Sequence, residues 1–170
     1  AATINMTDAD VANITSQGSA AVPVFQNLAT VGSLAFQNTT TAASVAYTAA
    51  ATAGTSDDLT IKMQGVTQAG NLVVSAATNT IEEVTVNSTV TANTINDLQT
   101  TAAGVTTLEI TGDQNLTITT ALDTEITTVS AGTATGDLNF SGANTTGMTF
   151  TGGAGADTMT TTTVDDNVTG

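Results

Sequence analysis

The chain has 170 residues, 40% of them hydrophobic and only 9% charged, with no Cys, His or Trp and a formal net charge of −14. Fifteen acidic residues against the single Lys62 exclude nucleic-acid binding through phosphate neutralisation and disfavour docking on an anionic membrane. The missing Cys and His remove disulfides, thiolate and imidazole catalysis, and the usual zinc, copper or haem ligands, leaving a hard cation as the natural small partner.

No apolar run is long enough to span a bilayer, and none reads as a signal peptide. The apolar residues are mostly Ala, Val, Ile and Leu, which together with abundant Thr suit thin, repetitive β-packing. In chain order, residues 8–14 (DADVANI) read as a short helix or turn. Pro23 reads as an edge or linker position, because its missing N–H weakens any ladder. Residues 28–34 (LATVGSL) and Leu72-Val73-Val74 read as strands, and residues 42–53 (AASVAYTAAATA) as a helix or a strand. A soft boundary falls near residues 77–79, separating an irregular β-rich part (1–78) from a repetitive part (79–170).

In the second part, short alternating triplets recur: Val84-Thr85-Val86, Leu108-Glu109-Ile110, Val129-Ser130-Ala131 and Met148-Thr149-Phe150. Their spacing of about 19–24 residues is that of one coil of a solenoid. Leu116-Thr117-Ile118 and Leu138-Asn139-Phe140 lie between them, joined by turns such as Thr111-Gly112-Asp113 and Thr135-Gly136-Asp137. In each triplet the outer residues share one face and the middle residue takes the other, which is a half-buried strand. Stacked rungs of this kind predict an all-β fold: an elongated parallel β-solenoid or β-roll, with an antiparallel β-sandwich as the alternative. Asn-Gly and Asp-Gly hairpin signals are absent, which favours the solenoid.

Residues 152–160, GGAGADTMT, carry the most specific chemistry. Glycines permit φ > 0 and can turn successive carbonyls toward one point, to which an aspartate adds a carboxylate. Six to eight such oxygens suit calcium. A flexible turn with no ligand is the plainer reading, and Asp113, Asp137, Asp57-Asp58 and Glu82-Glu83 read foremost as solvated acids.

The stretch resembles the calcium-binding nonapeptide of RTX proteins, Gly-Gly-x-Gly-x-Asp-x-(large apolar)-x, at every defined position. The next nine residues, TTTVDDNVT, keep the register, with Asp166 where Asp157 falls and Val168 where Met159 does, but have lost the glycines. The resemblance implies carbonyl ligands from Gly152, Gly153, Ala154 and Gly155, a carboxylate from Asp157, and Asp166 as a further ligand. A complete roll uses several such repeats.

Segments such as 106–120 (TTLEITGDQNLTITT) followed by 149–160 (TFTGGAGADTMT) also resemble bacterial surface-layer proteins of the RTX type. That likeness implies a secreted, non-enzymatic subunit at the bacterial cell surface, stabilised by calcium and assembling with copies of itself into a lattice or fibre. Enzyme activity is improbable on the residues alone: without His there is neither an HExxH helix nor a Ser-His-Asp triad. The rival reading is an adhesin or a carbohydrate- or ice-binding solenoid without lattice assembly. Thr-x-Thr pairs occur at Thr117/Thr119, Thr149/Thr151 and Thr158/Thr160, but the uneven coil spacing argues against the strict register an ice face needs.

Overall fold

The computed structural model describes residues 1–7, 11–162 and 165–170. Its first strands are β1 (Ala2–Asn5), β2 (Asn13–Gln17), β3 (Pro23–Leu28), β4 (Ser33–Gln37), β5 (Ala43–Tyr47), β6 (Asp58–Gln64), β7 (Asn71–Ala76) and β8 (Glu83–Thr89). Then come β9 (Asn93–Ile95), β10 (Asp97–Gln99), β11 (Thr107–Gly112), β12 (Leu116–Ile118), β13 (Thr128–Ser130), β14 (Leu138–Ser141), β15 (Thr149–Thr151), β16 (Thr158–Thr160) and β17 (Asn167–Thr169). A single 3-10 turn spans Thr101–Ala103, and there is no α-helix among the described residues.

These strands form three sheets. Sheet A has the order β1-β3-β5-β7-β10, sheet B the order β2-β4-β6-β8-β11-β13-β15-β17, and sheet C the order β9-β12-β14-β16. Every strand pairs in parallel with strands one coil away, which makes the fold a β-solenoid of about seven turns. The antiparallel sandwich is thereby overturned, since its strands would meet through hairpins. Sheet B runs the whole length. Sheet A ends at β10 and sheet C begins at β9, so the coil exchanges one face for another, with β8, β9 and β10 sharing the turn where the exchange occurs.

The expected triplets are rungs. Val84, Val86, Leu108, Ile110, Leu116, Ile118, Val129, Leu138, Phe140, Met148 and Phe150 are all buried, and the middle residues are not. In sheet B, Leu59, Val84, Leu108, Val129, Phe150 and Val168 stand one above another. Phe150, not Met148, therefore occupies the level of Val129, a shift of two residues from the expected alignment; Met148 packs at the corner just before β15. Phe150 reaches Phe140 of sheet C edge to face, with centroids 5.3 Å apart and planes at 84°.

Coil length varies more than the triplet spacing suggests. In sheet B it takes 20 residues from Ile14 to Leu34, 27 to Ile61, 25 to Val86 and 24 to Ile110. It then falls to 21 from Leu108 to Val129, 21 more to Phe150 and 18 to Val168. Register survives because the corners absorb the surplus.

The first part departs from several expectations. Residues 28–34 are not one strand: β3 ends at Leu28, the chain turns, and β4 starts at Ser33. Gly32 marks that corner, where a Cβ would meet the Ala12 carbonyl oxygen of the coil below at 2.2 Å. Within 42–53 only Ala43–Tyr47 is regular, and it is a strand, because Ala43, Val45 and Tyr47 alternate inward between β3 and β7. Pro23 is neither edge nor linker; it is buried as the first residue of β3, where a missing N–H is tolerated. Asp8, Ala9 and Asp10 lie outside the described residues, and Asn13 and Ile14 begin β2. Leu72-Val73-Val74 lies in β7 as expected. The soft boundary at 77–79 falls between β7 and β8, and β6 pairs with β8 across it.

The corner after sheet B has its own rule. Gly18, Asn38, Gly65 and Val90 stack there, each directly after a paired position, and all four have positive φ (57°, 50°, 67° and 74°). Gly and Asn tolerate this region, but a β-branched residue does not. Val90 is moreover 67% exposed, so burial offsets none of that strain.

Candidate calcium loop and hydroxyl faces

The loop that links β15 to β16 contains Gly152, Gly153, Ala154, Gly155 and Asp157. It lies against the loop one coil earlier. The Ala154 N–H donates to the Ala134 carbonyl (2.9 Å), and the Gly152 N–H to the Thr169 carbonyl (2.7 Å). A Cβ on Gly153 would lie 2.2 Å from the Ala134 carbonyl oxygen, and one on Gly155 would lie 2.4 Å from the Gly136 carbonyl oxygen. On Gly152 it would meet the Asp157 carboxylate at 2.8 Å. None of the three has φ in the left-handed region, so the expected reason for the glycines is corrected. They are there because two backbones touch, not because the chain needs unusual angles.

Asp157 fastens this contact. Its Oδ2 accepts from the Gly153 N–H at 2.9 Å, and its Oδ1 from the Leu138 N–H of the previous coil at 3.1 Å. Asp166 repeats the arrangement at the next corner. Its Oδ2 accepts from the Thr162 N–H at 3.1 Å and its Oδ1 from the Met148 N–H at 2.7 Å. In both cases one donor lies four residues earlier and the other one coil earlier. Asp157 and Asp166, nine residues apart, are therefore equivalent in their bonding, and one coil from Phe150 to Val168 takes 18 residues. Met159 and Val168 hold equivalent strand centres, opposite Phe140 and Phe150.

The donor chemistry at the loop fits a hard cation. Among the described residues, no N–H or O–H donates to the carbonyl oxygens of Gly152, Gly153, Ala154 or Gly155. A carboxylate with two bonds to N–H groups keeps further acceptor positions. Oxygen is the only ligand type present, as calcium prefers. No three acidic side chains come together among the described residues, so carbonyls would have to supply most of the ligands.

The other acids have separate partners. Asp137 belongs to a ladder: its N–H donates to Asn115 Oδ1 (2.9 Å), Asn115 Nδ2 donates to its Oδ2 (3.2 Å), and Ala156 N–H donates to its Oδ1 (2.8 Å). Asp113 is exposed in the turn after β11. Glu82 accepts from the Asp57 N–H at 2.8 Å and from the Thr80 hydroxyl at 3.0 Å, and the Asp57 bond chiefly lowers its pKa. Glu83 faces Asp58 across the β6–β8 ladder, with Glu109 on the next strand. Partial burial, then repulsion from Glu109 and Asp58, raises its pKa.

The outer faces carry a pattern that spacing alone concealed. On sheet C, Thr117 stands opposite Thr94 and Asn139, and Asn139 opposite Thr158; Ser141 stands opposite Thr160. On sheet B, Thr107, Thr128, Thr149 and Asn167 form one column, and Ser130, Thr151 and Thr169 another. The objection from uneven coil length is thus overturned, because corners take up the surplus and strands keep register. No charged side chain points outward from the strands of sheet C, in a chain with fifteen acids. The Thr-x-Thr spacing was the signal for these faces; alignment across coils was what the sequence left open.

No helix among the described residues is long and apolar enough to cross a membrane. Compared with protein-family models, curated proteins and solved structures, the chain matches none.

Proposed function

We propose that this chain is a structural, non-enzymatic module of the bacterial cell surface: a β-solenoid that calcium stabilises and that assembles with copies of itself. The observation that carries the reading is the loop at 152–157, where four carbonyls have no hydrogen-bond donor among the described residues beside a carboxylate already held in place. Gly152, Gly153, Ala154 and Gly155 would hold the ion through carbonyls and Asp157 through its carboxylate, with Asp166 supporting the next corner. Calcium would supply charge neutralisation to a chain of net charge −14. Binding to the ordered loop and not to the unfolded chain stabilises the fold and every contact built on it.

Assembly would join copies of the chain through an unpaired strand edge, since such an edge accepts a further strand. Sedimentation velocity in millimolar calcium, repeated with excess EGTA, tests the reading. Large species in calcium alone support it; a compact monomer in both conditions rejects it.

The register of the hydroxyl columns favours a second reading, an adhesin or a carbohydrate- or ice-binding solenoid that works as a monomer. Strand spacing sets the hydroxyls about 4.8 Å apart along a column and about 6.6 Å between neighbouring columns. Binding of a glycan, or adsorption to ice, that Thr117→Lys abolishes in a monomeric protein would establish it in place of assembly.

A further inference from the structure

The core-facing column under sheet C is apolar at Ile95 and Ile118 and polar below them. Gln68 is 3% exposed and Thr39 is 2% exposed, yet Gln68 Oε1, Gln68 Nε2 and Thr39 Oγ1 have no hydrogen-bond partner among the described residues. The two residues are on successive coils at the same corner. Thr67 N–H donates to the Thr39 carbonyl (3.0 Å) and Ala69 N–H to the Thr40 carbonyl (3.2 Å), which sets residues 67 and 68 over Thr40, with Thr39 one position before it. Gln68 N–H donates upward to the Thr94 carbonyl at 2.9 Å, and Thr67 bridges Thr94, so the position is fixed from both sides.

The neighbouring buried amide makes the contrast plain. Asn93 is also fully enclosed, but its Oδ1 accepts from the Val66 N–H at 2.8 Å and its Nδ2 donates to Ser88 Oγ and the Thr91 carbonyl, each at 2.8 Å. Enclosure alone therefore does not prevent satisfaction at this corner. An amide and a hydroxyl left dry would lose their bonds to water and gain none in return. Native interiors commonly relieve such groups with a buried water bonded to two to four polar atoms.

We infer that Thr39 and Gln68 together hold internal water at the base of sheet C. The donor set selects the ligand. Gln68 Nε2 can only donate, which disfavours a cation; Gln68 Oε1 can only accept, which disfavours an anion. A small neutral molecule that both donates and accepts satisfies all three atoms, and water is the one that fits a closed core. The site sits where the third face starts, so it ends the apolar column without exposing it. This inference is independent of calcium and of assembly.

A high-resolution crystal structure of the whole chain tests it, together with water-to-amide magnetisation transfer to the Gln68 side chain in solution. The expected result is ordered density within hydrogen-bond distance of Gln68 Nε2 and Thr39 Oγ1, with transfer to the Gln68 amide protons. The variants add a thermodynamic reading. Gln68→Met, close in volume and apolar, should lower the urea midpoint by stranding the water and Thr39, and adding Thr39→Val should restore part of the loss. No density and no transfer, with Gln68→Met alone raising the midpoint, would overturn the inference.

Discussion

The first four coils and the last three solve the same stacking problem with different means. From β2 to β8 the strands run five to seven residues, and their ladders and broad core hold each coil to the next. From β12 to β17 they run three or four residues, so each ladder offers fewer bonds between coils. There the corners take over: Asp157 and Asp166 each bind two N–H groups, and Asn115 and Asp137 interlock. Coils wide in their strands are held by their ladders, and coils narrow in theirs by their turns. Acid in the turns of the narrow coils is therefore structural, and it is there that the proposed cation would add most.

The comparison can be broken first in the wide coils. Ile61, fully buried at the centre of β6, is expected to cost about 2–5 kcal/mol when changed to Ala, because it leaves a cavity between two intact ladders. Urea unfolding measures it. Met159→Ala, on the partly buried side chain of a narrow end coil, should cost clearly less.

Gly153→Ala is the next largest effect. Its Cβ has no room against the Ala134 and Ala131 carbonyls, so about 1–3 kcal/mol should be lost. Gly132→Ala in the preceding loop meets nothing within 4 Å and should be neutral or slightly stabilising. Equal effects at both positions would mean that close coil contact is not why the loop needs its glycines.

Asp157→Ala removes one acceptor from two N–H groups and should cost about 1–3 kcal/mol even in EGTA. Faster amide exchange at Leu138 and Gly153 would locate the loss. Val90→Gly acts in the opposite direction: relief of the left-handed angle should stabilise the chain by about 1 kcal/mol, visible as a higher melting temperature.

The smallest effect is that of pH. The raised pKa of Glu83 means that the folded chain holds its proton more tightly than the unfolded chain does. Stability should therefore rise as pH falls from neutral through that raised pKa toward the ordinary carboxylate value, and gain nothing from this group below it. Glu82, with its pKa lowered, works in reverse and loses its contribution as pH falls through its folded pKa. A shallow maximum in mildly acidic urea titrations follows, and Glu83→Gln should flatten its neutral side.

Much of the narrow region was legible in the sequence. Alternation in Leu108-Glu109-Ile110 or Leu116-Thr117-Ile118 places side chains by strand geometry alone, and the nine-residue count makes Asp157 and Asp166 equivalents from sequence alone. The wide region was less legible because its coils take 25 to 27 residues between Leu34 and Val86, which hides the repeat. Residues 28–34 looked continuous because Gly32 turns the chain to fit Ala12, a contact with the coil below that local spacing cannot reveal. The role of the loop glycines was misread for the same reason. The exchange of sheet A for sheet C, the strain at Val90 and the polar pair Thr39 and Gln68 all depend on which coils stack, and no local pattern encodes that.

Hydrogen exchange followed by mass spectrometry, in calcium and then in EGTA, addresses the central claim most directly. The account predicts that calcium slows exchange in the narrow coils, above all at residues 131–160, and leaves β4, β6 and β8 nearly unchanged. Identical exchange in both conditions throughout the chain would contradict it, and the loop at 152–157 would then be a fastening of backbone and carboxylate alone.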